Sequence, residues 1–152
     1  MIPFTAYTAE AFETATSYLS VEEADAIING QNESDTWKDY EDEVKEALLI
    51  QSSMAVDGAY NYQGVKVSNA QFLKFPRKEV EDEEVSKVLP LTLKFAVTTL
   101  CLSYSNDRAF RNITKDGISK LAMEFKEVDD DIGADVLVFL KPLKATTLKI
   151  EG

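Results

Sequence analysis

LPLTLKFAVTTLCLSYS, running from Leu89 to Ser105, decides the fold class of this chain. Proline is at home in the first turn of a helix, where its missing N–H would have no partner anyway. Behind Pro90, the residues Leu93, Val97, Leu100, Cys101 and Tyr104 recur at intervals of three and four, the spacing of one helical face. The stretch therefore reads as an amphipathic helix, the most buried of the chain. Just before it, Glu79 to Glu84 carries five acids in six positions, which reads as a solvated linker.

Working outward, Ser20 followed by Glu23 forms a capping box, and Gly30 stands where a left-handed C-terminal residue would end a helix. These bracket a helix over about Val21 to Asn29, with Ala24, Ile27 and Ile28 inward and Glu22, Glu23 and Asp25 outward. After a polar loop, Asp39 can cap a longer helix to about Val56, with Val44, Ala47, Leu48, Gln51 and Ala55 on its apolar face and Asp57-Gly58 as its end. Ala59 to Lys78 mixes aromatics with Lys66, Lys74, Arg77 and Lys78 and holds no acid; Ser68 and Gln71 predict a second capping box and a short helix stopped by Pro76. Arg111 to Val128 reads as a hairpin about Asp116-Gly117, since Leu121, Met123 and Phe125 alternate with polar neighbours. Asp135 can cap a last helix, Val136 to Leu140, ended by Pro142. The expected fold is mainly α: a helical bundle with a small antiparallel β-hairpin at about 111–128. A single domain spans 1–152, made of an arm over 1–16, a core over 17–143 and an extended C-terminal tail over 144–152.

The length of 152 residues suits one domain able to bury about two thirds of its unfolded surface. No apolar run approaches the roughly 20 residues of a bilayer span, and the N-terminus lacks the basic start and apolar stretch of a signal peptide, so a protein made and used without secretion, with no membrane partner, is expected. Cys101 is the single cysteine and there is no histidine, which removes multi-thiolate metal sites and the commonest general base. No Gly-rich phosphate loop occurs. The expectation is a protein that is not an enzyme and holds no cofactor and no metal. The net charge of -11 is unevenly placed: residues 1–60 hold thirteen acids against Lys38 and Lys45, and the remainder holds fourteen of each sign. Such an acidic first half repels phosphate backbones.

Tyr60, Tyr62, Lys66, Phe72, Lys74, Phe75, Arg77 and Lys78 form the serious functional signal, because bases stacked on aromatics beside cations are how single strands are held without sequence preference. Against that, Phe72 and Phe75 fall at helical spacing, where core packing is the usual role. The charge asymmetry also suggests a head-to-tail contact between copies, pairing Glu41, Asp42, Glu43 or Glu46 with Lys74, Arg77 or Lys78. Asp129, Asp130 and Asp131 invite a calcium reading, but an EF-hand loop beginning there would put Leu140 where its bidentate Glu belongs. Cys101, on an apolar stripe, reads as core filler.

Four short words in fixed order, TSYLSVEEADA (Thr16–Ala26), KEALLIQ (Lys45–Gln51), FPR (Phe75–Arg77) and VLP (Val88–Pro90), together resemble the small head-tail adaptor proteins of tailed bacteriophages, many of which carry the label "DnaT-like single-stranded DNA-binding protein". The resemblance covers roughly residues 15–143. It implies a structural connector of the virion neck, assembled in the host cytoplasm. Copies would form a homo-oligomeric ring, a dodecamer, that docks on the portal protein and receives the stopper or tail-completion protein, with double-stranded DNA passing through its lumen without specific binding. Under that reading the tail, through Lys144, Leu148, Lys149 and Ile150, would dock on the portal by strand addition. The alternative is a single-stranded DNA-binding protein of a replication type.

Overall fold

A carboxylate, an indole and an ammonium bind the first three helices together. In the computed structural model, which describes residues 2–31, 34–79, 87–106 and 134–144, these helices are α1 (Val21–Ile28), α2 (Asp35–Asp39) and α3 (Asp42–Ala59). Asp25 Oδ1 accepts from Trp37 Nε1 at 2.9 Å and from Lys45 Nζ at 3.0 Å, while the Lys45 ammonium lies 5.5 Å from the centre of the Trp37 ring. Trp37 is fully buried and Lys45 nearly so. The sequence reading placed Asp25 mostly outward and a loop where α2 stands. A five-residue helix with no side-chain cap has little local support, and it forms because its indole fills the space between α1 and α3.

The capping box of α1 forms as expected: Ser20 Oγ accepts from Glu23 N–H at 3.1 Å and Glu23 Oε1 accepts from Ser20 N–H at 3.3 Å. Such a cap contributes about 1 kcal/mol. The other end differs, because Asn29 stays right-handed and donates its N–H to the Asp25 carbonyl, and Gly30 has no positive φ. Asp39 closes α2 rather than capping α3, which begins after Glu41 and continues through Asp57-Gly58 to Ala59.

Helix α4 (Leu91–Asn106) packs against α1, α2, α3 and α5 (Ala134–Leu140), the last of which leads into a 3-10 turn over Lys141–Leu143. Leu93, Val97, Leu100, Cys101 and Tyr104 are buried, as the stripe predicted. Each fully buried leucine contributes roughly 1.5–3 kcal/mol, and this helix is the spine of the core. Burial pushes the Cys101 thiol up to about 12, and its Sγ lies 3.2 Å from Ser52 Oγ. That thiol is packing. Helix α5 starts at Ala134, ahead of the capping position assigned to Asp135.

The fold is mainly α with a small two-stranded antiparallel sheet, β1 (Val65–Lys66) against β2 (Arg77–Lys78), pairing Val65 with Lys78 and Lys66 with Arg77. The expected hairpin at 111–128, the Asp129–Asp131 run and the tail beyond Lys144 lie outside the described residues. The leading segment is tied down: Tyr7 N–H donates to the Ser17 carbonyl at 2.9 Å and Thr16 N–H to the Thr5 carbonyl at 2.9 Å. Among the described residues no helix is long and apolar enough to cross a membrane, and no group of three metal-ligating side chains occurs.

Removing the Asp25 carboxylate strands a buried ammonium and a buried indole N–H. Asp25→Ala is expected to destabilise the domain by about 1–3 kcal/mol. A urea-unfolding double-mutant cycle with Lys45→Met should show strong coupling between the two positions.

Candidate nucleic-acid interface

The loop between α3 and the acidic linker is built around Arg77. Its Nε donates to the Gln63 carbonyl at 2.7 Å, one terminal nitrogen donates to the Lys74 carbonyl at 3.1 Å, and the other to the carbonyls of Gly64 at 2.7 Å and Tyr62 at 3.3 Å. A guanidinium is the side chain that can hold four carbonyls at once, because its donors are fixed in a planar fork. The loop turns back on itself at Gly64, whose φ is +76° and where an added Cβ would come within 2.3 Å of the Lys78 carbonyl oxygen. Only glycine fits there.

Beneath the loop lies Asp57. Its Oδ1 accepts from the Tyr18 hydroxyl and its Oδ2 from the Lys74 N–H at 3.0 Å, while Tyr18 itself accepts from Phe75 N–H at 3.0 Å. Part of the residue reaches solvent, but its carboxyl end is enclosed. Desolvation raises its pKa to about 6, and the bonds from Tyr18 and Lys74 and the charges of Lys74 and Lys66 oppose that rise. Tyr18, Tyr62 and Phe75 close the floor, with ring centres 6.1 Å apart for Tyr18 and Phe75 and 4.9 Å for Tyr62 and Phe75, both edge-on. The Tyr62 hydroxyl donates to the Val56 carbonyl.

Of the expected aromatic and cationic residues, Tyr62 and Phe75 are therefore core, and Phe72 stands out at 45% exposure. One arm of the expected capping box forms, Gln71 Oε1 accepting from Ser68 N–H at 2.7 Å, but Ser68 Oγ accepts from Ala70 N–H at 3.1 Å rather than from Gln71, and no helix follows. Buried Gln71 instead donates Nε2 to the carbonyls of Leu73 and Pro76, which bends the chain away from a helical path.

The outer surface is cationic. Lys74 Nζ reaches the Tyr60 carbonyl at 3.4 Å and lies 5.9 Å from the Tyr62 ring centre, and Lys66 Nζ reaches the Gln71 carbonyl at 3.1 Å. Lys144, read from sequence as part of a tail docking elsewhere, pairs with Tyr62 of its own chain, and its ammonium lies 5.0 Å from the centre of the Tyr60 ring. Gln63 fastens this pairing, donating N–H to the Leu143 carbonyl at 3.0 Å and Nε2 to the Lys144 carbonyl at 3.1 Å. Leu148, Lys149 and Ile150 lie outside the described residues. Glu41, Asp42, Glu43 and Glu46 sit on and before the first two turns of α3, while Lys74, Arg77 and Lys78 sit at the other end of that helix. With Arg77 spent on its own loop, Lys74 and Lys78 are the members of that basic set left for an outside partner.

The chain matches a family model described as "Putative DnaT-like ssDNA binding protein" over residues 3–129. It belongs to that family. Neither a curated protein nor a solved structure matches it. Membership of the DnaT-like family keeps the coarser part of the resemblance and overturns the rest: its description names single-stranded DNA, and nothing in the match points to a head-tail connector. The virion ring, the portal and stopper partners and duplex DNA passing unbound are corrected accordingly. Sequence reasoning missed two residues of this site, Tyr18 and Asp57. An aspartate in the last turn of a helix, where the macrodipole disfavours it, was the available signal.

Two outcomes follow from this geometry. Gly64→Ala is expected to cost about 2–3 kcal/mol by forcing the β1 turn off the Lys78 carbonyl, read as a lowered urea midpoint. Folded Asp57 holds its proton more tightly than the unfolded chain does, so its stabilising effect is greatest below about pH 4 and is lost as pH rises to about 6. The loss amounts to about 3 kcal/mol, and stability profiles of wild type and Asp57→Asn should differ by that slope across the interval.

Proposed function

We propose that this protein is a binding module for single-stranded DNA, and that the strand lies on the outer face of the 60–78 loop. The observation that carries the reading is the partly exposed Tyr60, with the Lys144 ammonium over its ring and the Lys74 ammonium at its backbone carbonyl, on a loop whose backbone is braced from within by Arg77. A base can stack on an aromatic ring while lysines neutralise the phosphates on either side, which is sequence-tolerant single-strand binding. The family description supports the same ligand class.

The acids on the first turns of α3 do not oppose this. Helix α3 has 18 residues and so is about 27 Å long, with the acidic group at its start and the basic loop at its end. That separation exceeds the Debye length of about 8 Å at physiological ionic strength, so the two ends act nearly independently.

Fluorescence anisotropy with oligodeoxythymidylate over a salt series tests the reading. The two lysine contacts, Lys74 and Lys144, should give a slope of about −1.4 in log K against log salt. Lys74→Glu should weaken binding at least about tenfold and flatten that slope. Absence of salt-sensitive binding by the wild type, or equal affinity for duplex, overturns it.

A further inference from the structure

Phe72 connects the loop to a second aromatic and cationic couple on the N-terminal segment. Its N–H donates to the Glu13 carbonyl at 3.3 Å, and Ser68 Oγ donates to Glu13 Oε2 at 2.6 Å, so the loop and residues 12–13 form one surface. On that surface the Lys87 ammonium lies 4.7 Å from the centre of the partly exposed Phe12 ring, and the Tyr7 hydroxyl holds the Lys87 backbone by its carbonyl. Neither Phe12 nor Phe72 belongs to the core among the described residues, whereas Tyr60 packs against its edge. Two residues after Phe72, Lys74 reaches Tyr60.

We propose that Phe12 and Phe72 are further stacking subsites for single-stranded DNA, extending the track that begins at Tyr60, with Lys87 taking a phosphate at the far end. The inference rests on the reading given under Proposed function. Exposed Phe72 gains little by facing water alone, and the Lys87 ammonium above the Phe12 ring offers the same pairing of π face and charge that Tyr60 and Lys144 present. The track thus has an aromatic at each end and one between, and a strand must be long enough to span it. Glu13 sits beside the path. Its carboxylate opposes a passing phosphate, so it tunes affinity downward.

Binding of oligodeoxythymidylates of about 4 and about 12 nucleotides separates the possibilities. Phe12→Ala and Phe72→Ala, each checked for a native circular dichroism spectrum, should weaken the longer strand roughly tenfold and leave the shorter one unchanged. Phe12→Trp should restore the longer strand's affinity, and Glu13→Gln should tighten it. Wild-type affinity of both alanine variants for the longer strand, or equal losses on both lengths, overturns the extended track while leaving the Tyr60 site standing. Failure of the wild type to bind either length overturns both.

Discussion

Four carbonyl oxygens converging on one guanidinium set the shape of the loop between α3 and β2. Without Arg77, the carbonyls of Tyr62, Gln63, Gly64 and Lys74 would point toward each other across a tight turn with no shared donor. With it, the loop closes, β1 meets β2, and Tyr62 is pressed onto Phe75. Lysine at this position would keep the charge but could not reproduce the fork. The FPR word is therefore an architectural signature first. Its arginine is spent inward, and the cations left for a ligand are the lysines around it.

Asp57 extends that constraint into the helical core. One carboxylate joins the last turn of α3, the hydroxyl of Tyr18 and the backbone of Lys74, so the loop is fixed both from within and from below. The arrangement carries a standing electrostatic cost, since burial holds the acid well above its ordinary range. What it gains is a rigid base under a surface rich in aromatics and lysines. Rigid platforms lose less entropy on binding a flexible strand than mobile ones do. The opposite end of α3 carries the acids, where their charge favours the helix N-terminus and lies far from the basic loop.

Much of this was legible in the residues. The α4 stripe and the capping box of α1 are local patterns that tertiary structure left undisturbed, and the acid-free aromatic texture of Ala59 to Lys78 coincides with the segment on which the proposed site lies. Errors fell where a distant partner decided the outcome. Asp57 followed by glycine reads as a helix end and nothing more, because Tyr18, which bonds its carboxylate, lies 39 positions away. Helix α2 has no cap to announce it and exists through Trp37. Ser68 and Gln71 hold one arm of a capping box, yet Gln71 also bonds Leu73 and Pro76 and the helix never follows. Lys144 read as part of a free tail because nothing local shows that it pairs with Tyr62 on the other side of the sequence. The larger error concerned function: short words in order led to a virion connector, and a family match across most of the chain names single-stranded DNA instead.

The account places a single strand on the basic end of α3 and keeps it off the acidic end. Amide chemical shifts followed by NMR while oligodeoxythymidylate is added test this directly. The account predicts that the shifts move at Tyr60, Lys66, Phe72, Lys74 and Lys144 and stay still from Glu41 to Glu46. Perturbations centred on Glu41 to Glu46, or none anywhere at saturating oligonucleotide, would contradict it.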